Sequence, residues 1–108
     1  MEVVQRITPS GLQERLNSGE KIIIVDVRES EELEICSLPE IVHIPLSAIA
    51  SDHTELDPGA SYALLCHHGI RSAQAAGFLI QAGFQDVTNI EGGIERWAQE
   101  VDSTLQRY

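Results

Sequence analysis

The sequence predicts an α/β domain with a mainly parallel central sheet and helices on both faces. Three observations carry this. Lys21-Ile22-Ile23-Ile24-Val25-Asp26-Val27 is β-branched and continuously apolar at its centre, as a strand covered on both faces is. Tyr62-Ala63-Leu64-Leu65 is a second short apolar run, entered from the turn signal Asp57-Pro58-Gly59. Strands of this kind alternate with segments whose apolar residues recur at helical spacing, and that alternation selects a parallel sheet. The 108 residues, 43% of them hydrophobic, suffice for one domain over 1–108 and are too few for two.

Each element has its own local signal. Val3 to Ile7 is a short strand candidate. Ile7-Thr8-Pro9-Ser10 starts a helix, with Thr8 as cap and Pro9 at the first helical position; Leu12 and Leu16 give it an apolar side, and Asn17-Ser18-Gly19 stops it. Residues 30–35 read as a short helix, Ile41 to Ile44 as a short strand ending at Pro45, and Ser47 to Ser51 as one helical turn. After the Tyr62–Leu65 strand, an Ala-rich helix runs from Ser72 with Ala75, Phe78, Leu79 and Ala82 on one side, and stops at Gly83. Asp86 to Ile90 is the last strand. Gly93 to Glu100 is the last helix, with Ile94, Trp97 and Val101 inward and Trp97 as a core anchor.

Seventeen acidic residues against seven basic ones give a formal charge of −10, which disfavours nucleic acid and anionic membrane surfaces as partners. No apolar run approaches the roughly 20 residues that span a bilayer, so a soluble cytoplasmic protein is the default expectation. Two cysteines are too few for a disulfide framework, and no His/Cys spacing resembles a closed zinc site. Cys36 is expected as a small buried hydrophobe, His43 as a structural residue and His53 as a surface one.

The chemistry concentrates in Cys66-His67-His68-Gly69-Ile70-Arg71-Ser72. This run puts one cysteine at the end of a strand, then a short loop, then a helix. Unsatisfied N–H groups at the helix start, the helix dipole and the Arg71 guanidinium all favour negative charge on a sulfur placed there. Gly69 can take the positive φ that turns successive N–H groups toward one point. The Arg71 fork is expected to bond loop carbonyls or the anionic oxygens of a ligand. His67 and His68 either flank the entrance or lie in solvent.

The strand-Cys-x-x-Gly-x-Arg-Ser-helix order resembles the active-site loop of rhodanese-like sulfurtransferases. The resemblance covers nearly the whole chain. Asp26-Val27-Arg28-Glu29, His43-Ile44-Pro45-Leu46 and Glu91-Gly92-Gly93-Ile94-Glu95-Arg96-Trp97 match further motifs of that family, in the family's order. Many members read Gly-His-Ile-Pro-Gly-Ala where this chain has Cys36-Ser37-Leu38-Pro39-Glu40-Ile41. That version, with Glu100-Val101-Asp102 and Arg107-Tyr108, is most similar to rhodanese domains fused to ubiquitin-like-protein-activating adenylyltransferases.

The resemblance implies a three-layer fold and a structural role near the loop base for Asp26 and Arg28. It also implies transfer of sulfane sulfur, from a donor such as thiosulfate or a persulfide donor protein, through a persulfide on Cys66. The substrate would be cradled by His67, His68, Gly69, Ile70, Arg71 and Ser72, with neither metal nor organic cofactor required. A ubiquitin-like sulfur carrier is implied as a partner. Two alternatives share the fold: phosphatases or arsenate reductases, and non-catalytic binding modules. The former carry a loop one residue longer than the four that separate Cys66 from Arg71 here, and the latter commonly lose the cysteine.

Overall fold

The computed structural model describes residues 4–108. Five strands form one all-parallel sheet: β1 (Gln5–Ile7), β2 (Ile23–Asp26), β3 (Val42–His43), β4 (Ser61–Leu65) and β5 (Asp86–Ile90), in the order β1-β5-β4-β2-β3. The connection after β2 leads outward to β3, and the next leads back across β2 to β4. The gap between β2 and β4 is therefore a topological switch point, where α/β sheets bind ligands beyond their carboxyl ends.

The helices are α1 (Pro9–Asn17), α2 (Ser30–Ile35), α3 (Ile49–Asp52), α4 (Ile70–Gln81) and α5 (Gly93–Glu100). β4 shows the two-residue period that sorts the core. Tyr62 and Leu64 pack with Val25, Val87, Ala75, Ala76 and Leu79 on the α4 face, whereas Ala63 and Leu65 pack with Leu12, Ile24, Ile94 and Trp97 on the α1/α5 face. Two such cores around one sheet are the three layers expected. Trp97, 4% exposed, anchors the second core.

Thr8 caps α1 as expected, its hydroxyl accepting from the Gly11 N–H at 3.0 Å. The spans 30–35, 86–90 and 93–100 agree with the sequence reading. Val3, the first residue of the first strand candidate, lies outside the described residues. β2 is shorter than the apolar run, because its pairing with β4 begins only at Ile23↔Tyr62. The single turn expected at Ser47–Ser51 extends through two 3-10 turns flanking α3, from Leu46 to Glu55. Polar side chains sustain it by bonding back to the chain: Ser51 to the Ala48 carbonyl, His53 Nδ1 to that of Ile49, and Thr54 to that of Ser51. His53 is consequently partly buried and not the free surface residue expected; its ring sits edge-on to Phe78 at 5.0 Å. Among the described residues, no helix is long and apolar enough to cross a membrane.

Candidate active site

Cys66 follows the last residue of β4 and is 1% exposed. Gly69, at φ +102, caps α4 and turns the chain so sharply that the helix begins at Ile70, two residues earlier than the Ala-rich stretch suggests. Arg71 and Ser72 thus stand on the first helical turn. The Gly69 N–H donates to Cys66 Sγ at 3.0 Å, and the fully buried Ser72 Oγ lies 3.2 Å from the same sulfur.

Asn89, near the end of β5, completes the support from below. Its Oδ1 accepts from the Ser72 hydroxyl and its Nδ2 donates to the Gly69 carbonyl at 3.0 Å. The outer side of the loop is held by the start of α5, where the Ile94 N–H donates to the Cys66 carbonyl at 2.9 Å and the Glu95 N–H to that of His67 at 3.1 Å. Gly93 lies so close that a Cβ on it would come within 2.4 Å of the His67 carbonyl oxygen. No sequence signal beyond the Gly92-Gly93 pair marks this contact.

Arg71 has a protein partner that neither of its expected roles named. Its fork rests on Glu32 of α2, with Nη–Oε distances of 2.6 and 2.9 Å, and not on loop carbonyls. A carboxylate in bidentate range is the stronger acceptor and satisfies both arms of the fork. Glu32 is held down at about 2 chiefly by this guanidinium, and also by Tyr108, although partial burial works the other way. The pairing in turn raises Arg71 further above its ordinary value.

Tyr108, which the sequence marks only as part of the family resemblance, is a second residue at the site. Its ring stacks on His67 at 3.8 Å with an interplanar angle of 12°. Its hydroxyl donates to Glu32 Oε2 at 2.6 Å and accepts from Arg28 Nη1 at 3.0 Å. Burial is the main cause that pushes this phenol up to about 12.

Arg28, 0% exposed, carries the structural role implied for it. It binds both Asp26 carboxylate oxygens and donates to the carbonyls of Glu32 and Cys36. His43 supports the same corner through the Arg28 carbonyl, 2.7 Å from its Nε2. Cys36 is only partly buried; it packs against the α1/α5 core with its Sγ 4.0 Å from Arg28 Nη1.

A cleft of about 270 Å³ opens over the loop, lined by Cys66, His67, His68, Ile70 and Arg71. Ile70, 72% exposed, is its apolar lip. His67 and His68 divide the two options left open: His67 is stacked under Tyr108, whereas His68 is exposed. Burial, followed by the neighbouring His68 charge, pushes the His67 imidazole below its usual range, with Glu32 and Glu95 opposing. A larger cleft of about 660 Å³ between α1, α5 and the start of β2 is lined by Leu16, Lys21, Leu38 and Trp97 among others and contains no cysteine, serine or histidine.

Comparison with known proteins places this geometry. Residues 8–100 match the model of the rhodanese-like domain. The chain belongs to that family. Thiosulfate sulfurtransferase GlpE of Pseudomonas savastanoi pv. phaseolicola is 33% identical to this rhodanese domain over 107 residues, 98% of this chain and 99% of its own. The Mycobacterium tuberculosis protein named "Probable adenylyltransferase/sulfurtransferase MoeZ" is 35% identical over 104 residues, which are 94% of this chain but 26% of that protein. Among solved structures, a rhodanese-like domain protein from Staphylococcus aureus superimposes with a TM-score of 0.84 at 30% identity, covering 97% of this chain and 99% of its own.

Proposed function

We propose that this rhodanese domain is a sulfurtransferase that carries sulfane sulfur as a persulfide on Cys66. The observation that carries the reading is the Gly69 N–H aimed at the sulfur at 3.0 Å, at the N-terminus of α4. The family and the names of its relatives support it. A donor in such a cradle needs no metal to stabilise its charge, since fixed N–H dipoles serve.

With thiosulfate as donor, the Cys66 thiolate attacks the outer sulfur. A new S–S bond forms, the S–S bond of thiosulfate breaks, and sulfite leaves with the electron pair. A thiol acceptor attacks the terminal sulfur, and Cys66 leaves as thiolate; an activated acyl acceptor is instead attacked by that sulfur. The Gly69 N–H stabilises the anionic sulfur, Arg71 paired with Glu32 lies at the mouth, and His67, His68 and Ile70 form the rim.

The acceptor we propose is the adenylated C-terminus of a ubiquitin-like sulfur carrier. This reading is supported by the likeness to part of an adenylyltransferase/sulfurtransferase. The persulfide attacks the acyl carbon, AMP departs, and a dithiol reductant cleaves the acyl disulfide, leaving a thiocarboxylate on the carrier and a free thiol on Cys66 while it is itself oxidised to a disulfide.

The test is the intact mass after exposure to thiosulfate. One added sulfur atom, removed by dithiothreitol and absent from Cys66→Ser, is the expected result; an unchanged mass overturns the reading. Hydrolysis of aryl phosphates by the same protein would point instead to a phosphatase, for which the four-residue loop is too small.

A further inference from the structure

His67 and His68 on the Cys66 loop and Glu95 on the first turn of α5 are far apart in sequence, yet each offers a ligand atom and these atoms all lie within 4.8 Å of one another. We propose that these three residues form a binding site for one divalent ion of the zinc class at the rim of the cleft. Nothing in the sulfur-transfer chemistry above uses such an ion.

Four features support the assignment. His67 Nε2 is buried and has no hydrogen-bond partner, the only side-chain nitrogen or oxygen in that condition among the described residues. Buried polar atoms are almost always satisfied, so an orphan in a native fold points to an unrecorded water or ion. That orphan lies 4.0 Å from Glu95 Oε1, and an ion bonded to both at about 2.0–2.2 Å would satisfy it with little movement.

Second, the frame is fixed. The Glu95 N–H is bonded to the His67 carbonyl and the His67 ring is stacked on Tyr108, so the exposed His68 ring, which must swing off its own stack with His67, and the Glu95 carboxylate are the parts that adjust. Third, the donor set is chemically selective. Two imidazoles and one carboxylate suit zinc and its neighbours nickel and copper, while calcium and magnesium prefer all-oxygen shells. Fourth, charge favours the site: the chain carries −10, and Glu95 has one cationic neighbour, Arg107, on Oε2, which leaves Oε1 for the ion.

The experiment is a Zn²⁺ titration of the full chain by calorimetry, in a Cys36→Ser/Cys66→Ser background so that thiolates cannot bind the metal. One equivalent per chain is expected, with affinity at least about tenfold weaker in both His68→Ala and Glu95→Gln. Substoichiometric Cu²⁺ should broaden the ring-proton signals of His67 and His68 before those of His43 and His53. The proposal is overturned if the background protein binds no zinc, if both variants bind as well as it does, or if His43 or His53 broadens first. Circular dichroism of the variants separates lost ligation from lost fold.

Discussion

Glu32 and Arg71, 39 positions apart, are joined by two hydrogen bonds that tie α2 to the first turn of α4. Because Glu32 is depressed to about 2, its charged form stabilises the fold in full above its ordinary value of 4.5, and that contribution is lost as pH falls from there toward 2. Glu32→Gln should cost about 1.5–3 kcal/mol at pH 7. The gap from wild type in urea unfolding should close as the pH is lowered through that window; a gap that stays constant would mean the pair is not the cause.

The Asp26–Arg28 pair has both side chains at 0% exposure, so removing one partner strands a charge. Asp26→Asn should destabilise the protein by about 3–5 kcal/mol at neutral pH. A loss below about 1 kcal/mol, measured by equilibrium urea unfolding, would show that the Cys36 carbonyl and Tyr108 hydroxyl satisfy Arg28 without the carboxylate.

Ser72 has one hydroxyl proton and two claimants, Asn89 Oδ1 and Cys66 Sγ. Bonded to Asn89, it leaves only its lone pairs for the thiol; bonded to the sulfur, it stabilises the thiolate. Asn89→Leu should free that proton for the sulfur and speed alkylation by iodoacetamide, a gain that Asn89→Leu/Ser72→Ala should lose. Equal rates in both variants would show that the Gly69 N–H alone governs the sulfur.

The Cys66 loop was legible in the sequence because its signals are local: a strand end, a glycine that takes positive φ, a helix start. The residues that brace it were not. Glu32 lies in an acidic stretch, Glu29 to Glu34, that looks like ordinary solvated surface, and Tyr108 lies beyond the last periodic segment. Only the fold brings them to Arg71 and His67. The shift of the α4 start to Ile70 has the same origin, since helical periodicity registers apolar side chains but not the turn geometry of Gly69.

Gly93 and Gly83 both have positive φ, at +62° and +98°, but only Gly93 is crowded. Gly83→Ala should cost about 1–2 kcal/mol, the ordinary left-handed penalty. Gly93→Ala adds a collision with the loop backbone and should lower stability by a clearly larger amount, with loss of sulfur loading. Similar urea midpoints for the two variants would mean that the loop yields easily.

A chain of charge −10 repels a dianion before the cradle attracts it. Thiosulfate loading should therefore quicken as salt shortens the screening length toward about 8 Å. Stopped-flow rates that fall steeply with salt would show that the local positive potential dominates.

A trans peptide unit holds its C=O and N–H on opposite sides of one rigid plane. Since α5 draws the carbonyls of Cys66 and His67 to itself, the amide hydrogens of His67 and His68 are obliged to face away from α5. The polarity of the cradle is thus set by a helix that contributes no side chain to the sulfur. A change at residues 93–95 that rotates these two planes would turn the loop's lone pairs toward an incoming anion, and the cleft would repel it with every residue of the Cys66–Ser72 motif still in place.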